Sequence, residues 1–208
     1  MKKARIPVST VNRLSLYLRV FAQIEAGAGA TVASRELAAL SGINPAQVRK
    51  DLAYFGQFGR RGVGYPVAEL KRRIRGILGL ERDWNCAIIG MGHLGQALLM
   101  YKGLKNQGFN VVAAFDSDPD KIQWELEGVP VYDIAELKVV CLEKKIEIAV
   151  LAVPGSAAQE VAEAVAAARV PAILNFAPAP LRLGPGVLLR QVDLAGELEA
   201  LSYRLQKL

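Results

Sequence analysis

Residues 86–95 of this 208-residue chain read Cys-Ala-Ile-Ile-Gly-Met-Gly-His-Leu-Gly. The four leading residues are apolar and suit a buried parallel strand, and a helical pattern continues after the last glycine. In such a strand–turn–helix, Gly90 permits the tight turn, Gly92 lets a pyrophosphate approach the backbone, and Gly95 lets helix and strand pack closely. The helix N-terminus then offers N–H groups to phosphates. The stretch predicts a dinucleotide-binding loop.

The next predicted strand supplies a matching acid. It covers residues 110–116 and ends in Asp116, 21 residues after Gly95. A carboxylate at this position accepts hydrogen bonds from the adenosine ribose hydroxyls, and its charge repels a 2′-phosphate. The pattern therefore favours NAD(H) over NADP(H). A structural role for Asp116 in the turn that begins at Ser117 is the alternative.

Strands and helices continue to alternate beyond this point. Strands are predicted at 129–132, 146–153 and 171–175, and helices at 133–145 and 155–169. This alternation predicts an α/β fold with a Rossmann-like, doubly wound parallel sheet. Ligands of such sheets lie beyond the carboxyl ends of the strands, although each exit is also compatible with an ordinary loop. The predicted site combines the glycine loop, the acid and two strand exits: Gly90, Met91, Gly92, His93, Leu94, Gly95, Asp116, Val153, Pro154, Asn175, Phe176, Ala177 and Pro178.

The residues show no catalytic constellation and no metal-ligand spacing. The single histidine of the sequence, His93, lies inside the glycine loop, where it either helps to neutralise phosphate or points to solvent. Hydride-transfer enzymes usually need a positioned acid, base or substrate anchor. Because such groups can come from anywhere in the chain, their absence favours, without deciding, a binding protein that has no catalytic residues and no metal.

Basic charge is concentrated near the N-terminus. Residues 1–80 carry 14 Lys and Arg against 4 Asp and Glu, whereas residues 81–208 carry 12 against 16. This asymmetry predicts a polyanion-binding part joined to an ordinary globular part, although a basic solvated surface would give the same count.

A helix-turn-helix pattern lies in the basic part. The predicted helices are a first from Val8 to Glu25, a second with Ser34 as its N-cap that stops at Ser41-Gly42, and a third that begins after Asn44 and Pro45 and stops at Gly56. The N-terminal part of the third helix would enter the major groove of DNA. There Gln pairs with adenine, and Arg or Lys pairs with guanine.

A glycine-rich basic segment follows at residues 57–65. A hairpin with a basic tip would be the wing of a winged helix, reaching phosphates or a minor groove, and a basic surface turn is the alternative. Pro66 then opens a further helix with Lys71, Arg72, Arg73 and Arg75 exposed. The candidate DNA-binding residues of the third helix and the wing are Asn44, Gln47, Arg49, Lys50, Tyr54, Arg60, Arg61 and Gly62.

The cysteines and the hydropathy pattern indicate a compartment. Cys86 and Cys141 are too few for a disulfide framework or a thiolate metal site, which favours a reducing cytosol. The basic start lacks the apolar segment of a signal peptide, and no apolar run reaches the roughly 18 residues of a membrane span. We expect a cytoplasmic protein without a membrane partner.

From the residues alone two other functions stay open. One is an NAD-dependent oxidoreductase with a basic N-terminal appendage. The other is a Rossmann-domain scaffold whose basic part binds RNA or an acidic protein.

Residues 47–65, 88–95, 175–178 and 192–196 together resemble the redox-sensing transcriptional repressor family called Rex. The shared stretches include Gln-Val-Arg-Lys-Asp-Leu-Ala-Tyr-Phe-Gly, Gly-Arg-Arg-Gly-Val-Gly-Tyr and Asn-Phe-Ala-Pro. The resemblance implies a homodimer that binds an inverted-repeat operator in double-stranded DNA and represses transcription. It also implies NADH and NAD⁺ as regulatory ligands, with NADH releasing the operator.

The resemblance further implies that the C-terminal helix, from Asp193 to Lys207, is exchanged between subunits. The predicted segments are then a winged-helix DNA-binding domain at 1–80, a Rossmann domain at 81–192 and a dimerisation helix at 193–208. In the family, Asp193 is linked with Tyr101 and with Arg19 of the first helix, which implies a coupling route. Two residues depart from several relatives, since Leu194 stands where they carry Phe and His93 where they carry Arg.

Overall fold

The structure is a computed structural model that describes residues 6–24, 31–54 and 64–207. The chain divides into two compact units, Met1–Arg82 and Asp83–Leu208. Each unit is built around its own buried residues.

The N-terminal unit is helical. Its helices are α1 (Val8–Gln23), α2 (Ser34–Ser41), α3 (Pro45–Ala53) and α4 (Val67–Ile77). Two short strands, β1 (Thr31–Val32) and β2 (Tyr65–Pro66), pair antiparallel next to the helices. The interior of this unit consists of apolar side chains from its helices, among them Leu14, Phe21, Val48, Leu52, Leu70 and Ile74.

The turn between α2 and α3 follows from local chemistry. Gly42 ends α2 in the left-handed conformation, with φ +66°. The side chain of Asn44 accepts a hydrogen bond from the Ala46 N–H at 2.7 Å, and Pro45 occupies the first helical position. This helix-turn-helix is as the sequence predicted.

Three details of the predicted helices in this unit were wrong, and a fourth, the stop at Gly56, lies outside the described residues. Helix α1 ends at Gln23, and Glu25 lies outside the described residues. Ala33 is the N-cap of α2, so Ser34 is the first helical residue instead. Helix α3 ends at Ala53, and Gly56 lies outside the described residues. Arg75 is half-buried because its guanidinium donates to the Leu80 carbonyl.

The C-terminal unit contains a seven-stranded sheet of order β5-β6-β4-β3-β7-β8-β9 among the described residues. The strands are β3 (Trp84–Ile89), β4 (Phe109–Asp116), β5 (Glu125–Leu126), β6 (Val129–Asp133), β7 (Ile148–Leu151), β8 (Ala172–Asn175) and β9 (Leu188–Gln191). All neighbours are parallel except β5 and β6. Apart from β5, this is the Rossmann strand order. The sequence analysis did not predict β5 or β9.

Helices cover both faces of the sheet. They are α5 (His93–Met100), α6 (Lys102–Asn106), α7 (Leu137–Glu143) and α8 (Gly155–Ala167), with a 3-10 turn at Ile134–Glu136. A further helix, α9 (Leu194–Leu205), follows β9 and has no buried residues. Alternate residues of one strand enter different cores: Ile89 packs with α7 and α8, whereas Ile88 packs with Met91 and Leu99. The Rossmann-like, mostly parallel sheet is therefore as predicted.

Candidate functional site

The glycine loop between β3 and α5 has the geometry that its glycines predict. Gly90 has a φ of +95°, and a Cβ there would lie 2.7 Å from the Ala152 carbonyl oxygen. A Cβ on Gly95 would lie 1.9 Å from the Gly90 carbonyl oxygen. A Cβ on Gly92 would meet nothing within 4 Å. Gly90 and Gly95 thus permit the close backbone packing of the loop, and Gly92 leaves the space beside its own backbone free of side-chain atoms.

A cavity of about 800 Å³ opens along this loop. It lies where the strand order reverses, beyond the carboxyl ends of β3 and β7, which is where Rossmann sheets bind their ligands. Its volume is in the range of cofactor and ligand pockets. The predicted residues that line it are Gly90, Gly92, His93, Leu94, Asp116, Val153 and Pro154.

Asp116 has two structural hydrogen bonds and also lines the cavity. Its Oδ2 accepts from the Met91 N–H at 2.7 Å, and its Oδ1 accepts from the Asp118 N–H at 2.9 Å. The Lys121 ammonium lies 3.5 Å from Asp116 Oδ2 and 3.0 Å from Asp118 Oδ2. The hydrogen bond from Lys121 lowers the pKa of Asp118. The end of β4 therefore carries two carboxylates and one ammonium at the cavity.

The other predicted residues of this unit lie elsewhere. The Met91 side chain is fully buried in the core, and Gly95 is buried against Gly90. Asn175 is also fully buried: its amide accepts from the Ala177 N–H at 3.0 Å and donates to Gln191 Oε1 at 2.7 Å. Among the described residues, 175–178 do not line this cavity. Asn175 thus has the geometry of a residue that fixes the turn after β8.

The sequence analysis missed part of the cavity wall. Lys121 lines it, and so does one face of α8 through Ala157, Val161 and Ala164. The spacing of these three residues is helical, and α8 starts directly after the strand exit at Pro154. Helical spacing of small apolar residues directly after a strand exit could therefore have predicted this wall of the cavity from the sequence.

The predicted DNA-binding residues lie on or next to α3. Arg49 and Lys50 are exposed, Tyr54 is 41% exposed, and Gln47 is half-buried. Arg49 Nη1 lies 3.3 Å from the Ser34 hydroxyl. Asn44 Oδ1 serves as the helix cap described above. Arg60, Arg61 and Gly62 lie outside the described residues.

A buried carboxylate that the sequence analysis did not identify connects α3 to α1. Asp51 is completely buried, and Arg13 donates to both of its oxygens, Nε to Oδ2 at 2.6 Å and Nη2 to Oδ1 at 2.7 Å. Tyr17 donates to Oδ2 at 2.9 Å, Thr10 to Oδ1 at 3.3 Å and Gln47 Nε2 to Oδ1 at 2.8 Å. We call these five residues the Asp51 cluster.

The Asp51 cluster holds a charged group inside the unit. Burial raises the pKa of Asp51, but the hydrogen bonds from Arg13, Gln47 and Tyr17 outweigh it, so the pKa lies below its ordinary value. Burial and the hydrogen bond to Asp51 raise the pKa of Tyr17, which therefore stays a donor. The carboxylate is ionised and accepts from every partner.

Of the three predicted coupling residues, Arg19 lies in the N-terminal unit, and Tyr101 and Asp193 lie in the C-terminal unit. Arg19 is exposed on α1, whereas Tyr101 is 62% exposed after α5. Asp193 is the N-cap of α9 and accepts from the Gly196 N–H at 2.9 Å. Helix α9 has an apolar face that is open to solvent within the described chain: Leu194, Leu198, Leu201 and Leu205 are 63%, 67%, 55% and 67% exposed.

The described residues contain neither a helix that could span a membrane nor a group that could hold a metal ion. In the described ranges, each helix is too short or too polar to cross a bilayer. The same ranges contain no group of three or more His, Cys, Asp and Glu side chains placed to hold a metal ion.

Comparison with known proteins gives matches along the whole chain. The family model described as "CoA binding domain" matches residues 81–179, and the one described as "Putative DNA-binding protein N-terminus" matches residues 5–53. The redox-sensing transcriptional repressor Rex of Desulfitobacterium hafniense is 47% identical over 203 residues, covering 98% of this chain and 97% of that protein. The Rex of Streptomyces coelicolor is 44% identical, with 97% and 78% covered.

Solved structures agree with these relatives. RSP, a Rex-family repressor, in complex with β-NAD⁺ and operator DNA has a TM-score of 0.91 and 34% identity, with 98% of this chain and 94% of that chain covered. RSP in complex with β-NADH has a TM-score of 0.87 and 33% identity, with 97% and 95% covered. By full-length sequence identity and by fold, this chain belongs to the Rex family of redox-sensing transcriptional repressors.

Proposed function

We propose that this chain represses transcription by binding operator DNA through its N-terminal unit, and that NADH bound to its C-terminal unit releases the DNA. The observation that carries the proposal is the cavity at the reversal of strand order, with the glycine loop on one side and Asp116 at one end. It lies in a chain whose relative RSP has been solved in one complex with β-NAD⁺ and operator DNA and in another with β-NADH.

The residues present fit a dinucleotide. The open side of Gly92 and the N-terminus of α5 would receive the pyrophosphate, because no side chain intervenes and the helix supplies N–H groups. Asp116 would accept from the adenosine ribose, and Val153 with Pro154 would form a wall beside the nicotinamide. Family membership sets aside the oxidoreductase alternative, so the dinucleotide acts as a signal rather than a reagent.

The N-terminal unit would bind the major groove through α3. Arg49 and Lys50 are exposed there, and Gln47 lies beside them at the start of the helix. We further propose that the segment containing Arg60 and Arg61 forms the wing of a winged helix and contacts the DNA backbone or a minor groove. The antiparallel pair of β1 and β2 supports this, since β2 directly follows that segment.

A homodimer would connect the two functions. We propose that α9 is exchanged between two copies, which would bury its four exposed leucines. Asp193, Tyr101 and Arg19 would then link the nucleotide state to the spacing of two DNA-binding units. In this arrangement the DNA-binding domain is formed by residues 1–80, the dinucleotide-binding domain by residues 81–192 and the dimerisation helix by residues 193–208. Such a regulator would act in the cytoplasm, where DNA and the NADH pool meet.

Direct binding measurements test both activities. Calorimetric titration should give saturable binding of NADH and NAD⁺ and weaker binding of NADPH. Selection from a pool of 30-base-pair duplexes with a randomised centre should enrich an inverted repeat. Failure to bind either dinucleotide would overturn the sensor proposal, and failure to enrich any sequence would overturn the repressor proposal.

A further inference from the structure

The Asp51 cluster joins the interior of the N-terminal unit to a residue at its DNA-facing helix. Gln47 and Asp51 are four residues apart on α3, so both lie on the same side of that helix. Asp51 is fully buried, whereas Gln47 is half-buried. The amide of Gln47 therefore extends from the carboxylate toward the surface.

The hydrogen bond between them restricts the amide of Gln47. An ionised carboxylate has no proton to donate, so only the Nε2 end of the amide can face it. The observed Nε2–Oδ1 distance is 2.8 Å, the length of a good hydrogen bond to a charged acceptor. Rotation of the amide by 180° would put Oε1 against the carboxylate, which is repulsive. The amide thus has one favoured orientation.

The carboxylate itself is fixed independently of Gln47. Arg13 contacts both oxygens and also donates to the Thr10 hydroxyl at 3.1 Å, while Tyr17 holds Oδ2. Arg13, Thr10 and Tyr17 all belong to α1. Helix α1 therefore sets the position of the acceptor that orients Gln47.

We propose that Asp51 is a positioning residue for base recognition, because it fixes the Gln47 amide so that one N–H and Oε1 face outward as a single hydrogen-bonding edge. Nε2 carries two protons, and the bond to Asp51 uses one of them. The remaining donor and the acceptor are the pair that adenine requires in the major groove. This inference rests on the proposed function, in which α3 enters that groove.

A selection experiment tests the inference on the full-length chain. The probe is the pool of randomised duplexes, sequenced after binding to the wild type, Gln47→Ala, Asp51→Asn and the double variant. We expect the wild type to select adenine at one position of each half-site, and Gln47→Ala to lose that selection. Asp51→Asn should lower the adenine preference at the same position roughly tenfold, since a neutral amide partner allows both orientations of Gln47.

The double variant separates positioning from general damage. In the Gln47→Ala background, Asp51→Asn should cause little further loss of affinity for the duplex that the wild type selects, whereas an equal loss of affinity in both backgrounds would overturn the inference. Val48→Ala is the matched control, because Val48 is also fully buried on α3 but its side chain has no group that could hydrogen-bond to the amide. It should weaken enrichment at all positions without removing the adenine preference. If the wild type enriches no sequence, the proposed DNA-binding function fails as well, which is a distinguishable result.

A second measurement does not depend on whether Asp51→Asn folds. Side-chain ¹⁵N relaxation of the wild type should show the Gln47 amide more ordered than that of the exposed Gln107. Equal mobility of the two amides would overturn the inference.

Discussion

Gly95 and Gly92 belong to one loop but differ in what a methyl group would meet. We expect Gly95→Ala to lower the unfolding temperature and to abolish NADH binding, because its Cβ would lie 1.9 Å from the Gly90 carbonyl oxygen. Overpacking of this kind costs about 1–3 kcal/mol or more. Thermal unfolding and calorimetric titration check both effects.

Gly92→Ala is the matched control for that substitution. Its Cβ meets nothing within 4 Å, so the unfolding temperature should stay near that of the wild type. NADH binding should still weaken, because the methyl group would stand where the pyrophosphate approaches. Equal unfolding temperatures for the two variants would contradict the packing argument.

Asp116 and Lys121 should together determine the preference of the cavity for NADH over NADPH. We expect Asp116→Ser to raise the affinity for NADPH relative to NADH by roughly tenfold, since it removes the charge that repels a 2′-phosphate. Lys121, 3.5 Å from Asp116 Oδ2, would remain to attract that phosphate. The ratio of the two dissociation constants is the measurement. Adding Lys121→Ala should reverse the gain, and an unchanged ratio in Asp116→Ser would contradict this role of Asp116.

At the scale of elements, the Asp51 cluster makes the contact between α1 and α3 dependent on pH. The pKa of Asp51 in the folded chain lies below its ordinary value of 3.8, so folding favours the ionised form. Its contribution to the free energy of unfolding is therefore present above about pH 4 and is lost as the pH falls through the lower, folded-state pKa.

Urea unfolding from pH 6 downward tests this dependence. The wild type should be more stable than Asp51→Asn at pH 6, because the variant leaves Arg13 without its ion pair. The difference between the two free energies should shrink as the pH falls below about 4. A difference that stays constant over the range would show that the carboxylate charge does not stabilise this contact.

The exposed apolar face of α9 gives a second prediction at the scale of elements, which concerns the oligomeric state. Leu201→Glu should convert a dimer into monomers, because it would place a charge in the proposed subunit interface. Ala200→Glu is the matched control, since Ala200 is exposed on another side of the same helix. Sedimentation equilibrium of both variants gives the oligomeric state. Dissociation by both substitutions, or by neither, would contradict the proposed face.

The elements that the sequence predicted are those with strong local signals. Apolar strands, the glycine loop and the Asn44–Pro45 helix start depend on neighbours in sequence, and the structure has them as predicted. Strand β9 was missed because its four residues are all exposed and give no buried pattern. The burial of Asp51 was missed because its cause is the guanidinium of Arg13, 38 residues earlier. Partners that are far apart in sequence cannot be recognised from the local spacing of apolar residues.

At the scale of the whole molecule, residues 1–80 are strongly basic, whereas residues 81–208 carry 12 Lys and Arg against 16 Asp and Glu. We assign the first part to DNA and the second to the dinucleotide. The coupling between them is a proposal about free energies: NADH releases the DNA only if it binds the DNA-free form more tightly than the DNA-bound form.

The most direct test is a titration of the wild-type chain on its selected duplex, with NADH and NAD⁺ added in parallel at saturating concentration. Fluorescence anisotropy would give the dissociation constant of the duplex in each case. The account predicts at least a tenfold weaker binding with NADH than with NAD⁺, which corresponds to a coupling free energy of about 1.4 kcal/mol. Equal affinities with both dinucleotides would contradict redox sensing by this chain, even with DNA binding intact.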